Sequence, residues 1–295
     1  MPAAGRMSVR KAVITAAGLG TRLLPATKEM PKEMLPIYWI TSNGAVVLKP
    51  ILHVIFEELF NVGIRQFCFV VGRGKRSIED YFTPDYNYIE VLERRGKNKE
   101  ASALREFYKM VESSVIAFVN QPEPRGFGDA VLKAEACVGG EPFILHAGDT
   151  FISSQESSYV RKILSRFEAS RPKAVLALKK MQRPARMYGY AVVEERGDRL
   201  IVKRVVEKPE IPPSDLAIMA VYVFDPDIFD SIKEVGPGVS GEIQLTDAVQ
   251  RLIDKGGFVE AVVLQDDELY FDVGSPETYW DALRASYEQA ARRRT

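Results

Sequence analysis

Residues 11–36 constrain the fold more than any other stretch, because an apolar strand runs straight into a glycine turn and then into a series of cations. Ala12, Val13 and Ile14 show no polar alternation, which marks a strand covered on both faces, as in a parallel sheet wrapped by helices. Ala16, Ala17, Gly18 and Gly20 follow, small enough to let backbone N–H groups approach a ligand closely. Oriented N–H groups favour anions. Arg22, next to Thr21, adds a planar fork matched to phosphate oxygens, and Lys28 and Lys32 add point charges. Three cations beside one turn call for a polyphosphate.

A lone glycine pair after a strand would read as an ordinary βα turn with solvated basic residues. The dinucleotide fingerprint fits poorly, since the third glycine of G-x-G-x-x-G falls at Leu23, and no G-K-[ST] follows Gly18 at P-loop spacing. The loop is a phosphate loop of another kind.

The 295 residues, 46% of them hydrophobic, suffice for one large domain or two small ones. Forty basic and forty acidic residues cancel, so nothing biases the whole chain toward nucleic acid, and a free nucleotide is the expected partner. No apolar run reaches the roughly 18 to 20 residues of a membrane span, and Met1 to Arg10 lacks the apolar core of a signal peptide; the expected location is the cytoplasm. Cys68 and Cys137 lie in apolar contexts without C-x-x-C spacing and read as buried thiols. His53 and His146 are solitary, which argues against histidine acid–base chemistry.

The order of patterns predicts strands at 11–15, 66–71, 115–119 and 142–147, alternating with helices at 50–60, 77–82, 101–111 and 129–136. That alternation implies a Rossmann-like α/β fold with a mostly parallel sheet flanked by helices. Residues 174–181, 190–194, 200–207 and 217–224 read as strands largely without helices between them, so the second portion is expected to pair antiparallel. Helices are expected at 241–255 and 276–292, around a strand at 258–264. No segment reads as a flexible linker. A single domain, residues 1–295, fits best, with a nucleotide-binding half over about 8–150 and a sugar-binding half over about 151–295.

Gly18 to Pro36, G-L-G-T-R-L-L-P-A-T-K-E-M-P-K-E-M-L-P, resembles the signature loop of the sugar-1-phosphate nucleotidyltransferases, in particular the UTP–glucose-1-phosphate uridylyltransferases. Further similar segments follow in order at 121–132, 148–150, 188–193, 205–209, 216–222, 241–249 and 271–276. The resemblance implies a nucleotidyltransferase fold and transfer of the uridylyl group of UTP to glucose 1-phosphate, releasing pyrophosphate. It implies that Asp149 in H-A-G-D-T and Asp272 in Y-F-D-V-G hold Mg²⁺, whose preference for hard oxygen ligands and retained waters suits carboxylates. Taken singly, the first could close an Asx turn and the second cap a helix. It also assigns Arg22 to the departing β- and γ-phosphates and Lys32 to the α-phosphate side. Glu207 falls to the sugar hydroxyls, Lys208 to the sugar phosphate, and Gly189 to a close backbone approach to the sugar. Gln121 carries a donor and an acceptor on one amide, enough to read the imide edge of uracil or thymine in two hydrogen bonds. In the family it does so with help from backbone at the positions of Ala17 and Gly126. Relatives assemble as dimers or tetramers, so a homo-oligomer is expected.

Two departures stand out. Ala220, in L-A-I-M-A-V-Y, occupies a position where relatives often have glycine. Residues 39–47, W-I-T-S-N-G-A-V-V, read as an insertion carrying the hairpin-turn signal Asn43-Gly44, expected as a small β-hairpin near the cleft entrance. Competing readings are a thymidylyltransferase using dTTP, a non-catalytic nucleotide-sugar-binding regulator, and a nicotinamide dehydrogenase. The last is weakened by the missing glycine. No hexapeptide repeats follow, so an appended acyltransferase is not expected.

Overall fold

The computed structural model describes residues 8–41, 44–181 and 187–292. The chain begins with β1 (Lys11–Ala16), passes three short 3-10 turns, and forms a hairpin of β2 (Pro36–Ile40) and β3 (Val46–Pro50). There follow α1 (Ile51–Asn61), β4 (Gln66–Gly72), α2 (Arg76–Tyr81), α3 (Tyr86–Arg94), α4 (Asn98–Glu112), β5 (Val115–Gln121), α5 (Phe127–Lys133), α6 (Glu135–Val138) and β6 (Phe143–Ala147). The second portion contains β7 (Thr150–Ser153), α7 (Ser158–Ser170), β8 (Ala174–Lys180), β9 (Tyr190–Arg196), β10 (Arg199–Val206), β11 (Leu216–Phe224) and α8 (Ile228–Glu234). It closes with α9 (Leu245–Asp254), β12 (Val259–Val263), β13 (Leu269–Asp272) and α10 (Pro276–Arg292).

One nine-stranded sheet runs through both portions in the order β5-β4-β1-β6-β11-β8-β12-β10-β9. The first four strands are parallel, whereas β11 runs antiparallel to both β6 and β8. Alternate residues of each central strand feed cores on opposite faces: Ile14 and Phe69 join α1 and α7 on one side, Val13 and Val70 join α5 and α9 on the other. This two-sided burial explains the unbroken apolar runs in the sequence. The mixed α/β fold is as expected. The pattern reading passed over α3, α7, α8, β7 and β13, whose segments are short or have polar residues on their open side.

The inserted segment forms the hairpin, with Trp39 opposite Val47; Asn43 lies outside the described residues. None of the described residues between 36 and 50 lines the cleft, and β2 packs on α10, where the Tyr279 hydroxyl donates to the Pro36 carbonyl at 2.9 Å and the Ser286 hydroxyl accepts from Tyr38 N–H. Helix α10 uses small residues, Ala282, Ser286 and Ala290, to approach it closely.

Both histidines are buried and serve the core. His53 stacks on Phe107 with ring centroids 4.3 Å apart, and His146 meets the Ala147 carbonyl and the Tyr159 hydroxyl. Burial, helped by Lys49, pushes His53 down to about 3, and burial pushes His146 down to about 4 against the pull of the Ala147 carbonyl. Both rings stay neutral in the fold, while in the unfolded chain each takes a proton near its ordinary value of about 6.5. Their contribution is therefore whole above that value and drains away as pH falls from 6.5 toward 4, by on the order of 3 kcal/mol per ring. Urea unfolding at pH 7.5 and 5.0 should show this loss, and His53→Gln should flatten it; an equal slope in the variant would contradict the assignment.

Candidate active site

The glycine turn leaves the carboxyl end of β1, and each of its glycines answers a steric demand. Gly18 lies under Lys32, whose Nζ would stand 3.3 Å from an added Cβ. Gly20 takes a left-handed φ of +66°, and its carbonyl accepts from the Thr27 hydroxyl at 2.7 Å. Arg22 is exposed beside the backbone of Gly274, where any side chain would overlap its guanidinium. Lys28 reaches only Glu29 and is solvated.

Two loops bring the distant aspartates together. Gly148 N–H donates to the Thr15 carbonyl at 2.8 Å, which pins the end of β6 beside the end of β1, and Asp149 follows. Strand β13 then pairs antiparallel with β7, setting Asp272 opposite Thr150, while Val273 N–H donates to the Asp149 carbonyl at 2.9 Å. The Lys32 ammonium forms an ion pair with Asp149. Glu33, 1% exposed, stands behind it and accepts from the buried Lys75 ammonium at 2.7 Å.

The charges sort themselves accordingly. Burial opposes the charge on Lys32, yet Asp149, Glu33 and Asp272 together hold it above the usual lysine value. Burial also opposes ionisation of Asp149, and Lys32 overrules it, keeping that carboxyl below its ordinary range. Asp272 has no ion pair among the described residues: burial and the neighbouring Asp149 push it up to about 6, against Lys32, Arg22 and Lys208. Glu33 is raised by burial despite Lys75 and Lys32.

Across the cleft, Glu207 and Lys208 follow β10. The Thr246 hydroxyl donates to Glu207 Oε2 at 2.6 Å, and Lys208 Nζ stands 3.4 Å from Glu207 Oε1. Gly189 fits under Thr246 and Glu207, each within about 3.1 Å of where a Cβ would be. Ala220 lines the same wall at φ +49°, within the irregularity that interrupts β11 between Ile218 and Tyr222. A non-glycine residue in that left-handed region is strained by about 1 kcal/mol.

At the third corner Gln121 ends β5 beneath the loop that opens α5. Its amide N–H groups are committed inside the protein: Nε2 lies 2.7 Å from Asp129 Oδ2 and 3.2 Å from the Gly126 carbonyl oxygen. Two hydrogen bonds from this amide to a base were expected; with both N–H groups engaged internally, only the carbonyl oxygen is left without a partner among the described residues. Gly126 is itself required, since at φ +113° its missing Cβ would fall 2.6 Å from the Ile243 carbonyl oxygen.

These residues enclose one cleft of about 540 Å³ at the carboxyl ends of β1, β5 and β6, where ligands of open α/β sheets bind. It is lined by Ala17, Gly18, Gly20, Thr21, Arg22, Lys32, Gln121, Gly126, Asp149, Gly189, Glu207, Lys208 and Asp272. Of the site residues expected from sequence, Ala16 stands apart, buried at the end of β1 behind the lining. Glu33, Lys75, Asp129 and Thr246 were missed. A glutamate between proline-lysine and methionine, and a lysine in G-R-G-K-R, carry no signal until the fold shows them buried together.

A model of the nucleotidyl transferase family matches residues 11–289. The chain belongs to that family. Among similar nucleotidyl transferases, the UTP–glucose-1-phosphate uridylyltransferase of Streptococcus pyogenes is 38% identical over 254 residues, spanning 83% of this chain and 78% of the relative. A putative enzyme of the same name from Methanocaldococcus jannaschii is 39% identical over 251 residues, spanning 83% and 82%. A UDP-glucose pyrophosphorylase solved with UDP-glucose superposes with a TM-score of 0.81 at 32% identity, over 95% of this chain and 99% of the other. The UTP-bound enzyme from Acinetobacter baumannii gives 0.79 at 30% identity, over 94% and 93%.

The two halves of the charge cluster should respond to substitution with opposite signs. Lys32→Met strips Asp149 of its counter-ion and should destabilise the metal-free protein by about 2 kcal/mol. Asp272→Asn removes a carboxylate crowded by Asp149 and should stabilise it by on the order of 1–2 kcal/mol at pH 7.5. Urea unfolding in EDTA measures both, and shifts of the same sign would contradict this electrostatic picture.

Proposed function

We propose that this cleft transfers the uridylyl group of UTP to glucose 1-phosphate, giving UDP-glucose and pyrophosphate. The observation that carries the reading is the convergence of Asp149, Asp272 and Lys32 between a glycine phosphate loop and the Glu207–Lys208 corner. In this reaction a sugar-phosphate oxygen attacks the α-phosphorus in line, so two anions must meet while a third leaves. Alignment and neutralisation are then the protein's main tasks.

In this reading Lys32 bonds the α-phosphate and Arg22, at the exposed edge of the loop, receives the departing β- and γ-phosphates. The backbone of Ala17, Gly18, Gly20 and Thr21 cradles the triphosphate, with Ala16 ending the strand that supports it. Gln121 and Gly126 border the base. Glu207, held by the Thr246 hydroxyl, bonds the sugar hydroxyls, Lys208 the sugar phosphate, and Gly189 lets the sugar approach the backbone. The amino-terminal half thus serves the nucleotide and the carboxy-terminal half the sugar.

Asp149 and Asp272 are the residues that would hold Mg²⁺. The donor set fits: two neighbouring carboxylates suit a hard ion that keeps waters and binds phosphate oxygens. When bound, the ion would neutralise charge developing on the α-phosphate and the leaving group. Lys32, now paired with Asp149, is within reach to turn toward that phosphate.

Relatives at 30–39% identity bear uridylyltransferase or UDP-glucose pyrophosphorylase names, which favours UTP over dTTP. A thymidylyltransferase structure at 22% identity shares the fold alone. No helix among the described residues is long and apolar enough to cross a membrane.

The test is a pyrophosphate-release panel crossing UTP, dTTP, ATP, CTP and GTP with glucose, galactose, mannose and glucosamine 1-phosphates. UTP with glucose 1-phosphate should give the highest kcat/KM, EDTA should abolish release, and Mg²⁺ should restore it. Absence of release with every pair would leave a binding protein and contradict the reading. Arg22→Gln and Lys32→Met should each lower kcat roughly 10²-fold, as expected of groups that act on the transition state. A rise in KM alone would reduce them to binding residues.

A further inference from the structure

The amide of Gln121 can face the cleft in two ways, and its neighbours select one. Asp129 is 3% exposed and ion-paired with Lys133 at 3.3 Å, and a carboxylate has no hydrogen to give. Whatever group of Gln121 meets it at 2.7 Å must be the NH₂. The second N–H is taken by the Gly126 carbonyl oxygen, another pure acceptor. Gln121 Oε1 is left with no partner among the described residues, and it opens onto the cleft.

We propose that Asp129 is a specificity-determining positioning residue, which locks the Gln121 amide with its carbonyl oxygen toward the base so that a pyrimidine with a ring N–H at N3 is accepted over one without it. The inference rests on the reading of this corner as the base site. Uracil and thymine carry the required N3–H between their two carbonyls. Cytosine presents a bare ring nitrogen there, and adenine a bare N1. Either would set two lone pairs against each other inside a part-buried pocket, with no donor able to rotate in, because both amide hydrogens are already engaged. The lock therefore separates UTP from CTP, two pyrimidines that size cannot distinguish. It leaves uracil and thymine alike at this edge.

The alternative role for Asp129 is purely structural. It sits in the first turn of α5, where an acidic side chain favours the helix dipole, and Lys133 lies one turn later. That role predicts a loss of stability with no change in nucleotide preference.

Asp129→Asn keeps the shape and supplies an NH₂ of its own, which can satisfy Gln121 Oε1 and let the Gln121 amide turn over. Steady-state rates with UTP and with CTP, at saturating glucose 1-phosphate, read the consequence. The ratio of kcat/KM for UTP over CTP should fall roughly 10-fold, the worth of one hydrogen bond against an unpaired group, through a higher KM for UTP and with the KM for glucose 1-phosphate unchanged. An unchanged ratio, or equal losses for both nucleotides, would overturn the proposal. A second measurement uses the wild-type protein alone: N3-methyl-UTP should be a substrate at least 10²-fold poorer than 5-methyl-UTP, and equal use of the two would overturn it as well. A wild-type protein that releases pyrophosphate from UTP but shows no effect in either measurement condemns the lock and spares the reaction. One inert toward every triphosphate condemns both.

Discussion

The structure depends on bringing two carboxylates side by side in a part-buried cleft, and on the one lysine that makes this tolerable. Asp149 and Asp272 are separated by more than 120 positions in sequence, and pairing of β7 with β13 makes them neighbours. Each opposes ionisation of the other. Lys32 relieves Asp149 directly and leaves Asp272 raised to about 6. Crowding two carboxylates in this way costs stability in the metal-free protein. The site and its chemistry follow from that crowding.

The same logic runs outward. Lys32 keeps its place because its stem crosses the bare face of Gly18 and because Glu33 and Lys75 form a buried pair behind it. Glu207 is held by Thr246, Gln121 by Asp129 and Gly126. In each case a residue that would touch substrate is oriented by one that would not, which fixes geometry before the ligand arrives. Two of the six described non-glycine residues at positive φ, Ala220 and Lys208, lie on one wall of the cleft.

Much of this was legible in the sequence, for identifiable reasons. The run from Ala12 to Ile14 is apolar on both faces and reads as a central strand, and the small residues after it suit a close approach or a tight turn. Helix α10 shows its amphipathic spacing from Pro276 onward. The loop after β1 carries enough specific residues to resemble a family, and residues singled out later in the chain line the same cleft. What stayed hidden depended on tertiary partners. Strand β13 has four residues and is a strand because β7 lies beside it. The hairpin was foreseen but not its docking on α10, since an Asn-Gly turn fixes a local shape and says nothing of its neighbour. Gln121 is expected as a reader of bases, but its contact with Asp129, eight residues on, is one that spacing alone does not reveal.

Asp149 and Asp272 together would form a cation site completed by substrate. Mn²⁺, whose unbound form is counted directly by electron paramagnetic resonance, tests it without turnover. Titrated into the wild-type protein with UDP-glucose present, one Mn²⁺ per chain should bind, weakly without the nucleotide sugar and much more tightly with it. Asp149→Asn and Asp272→Asn should each abolish that tight site. Tight binding that survives in both variants would contradict the account.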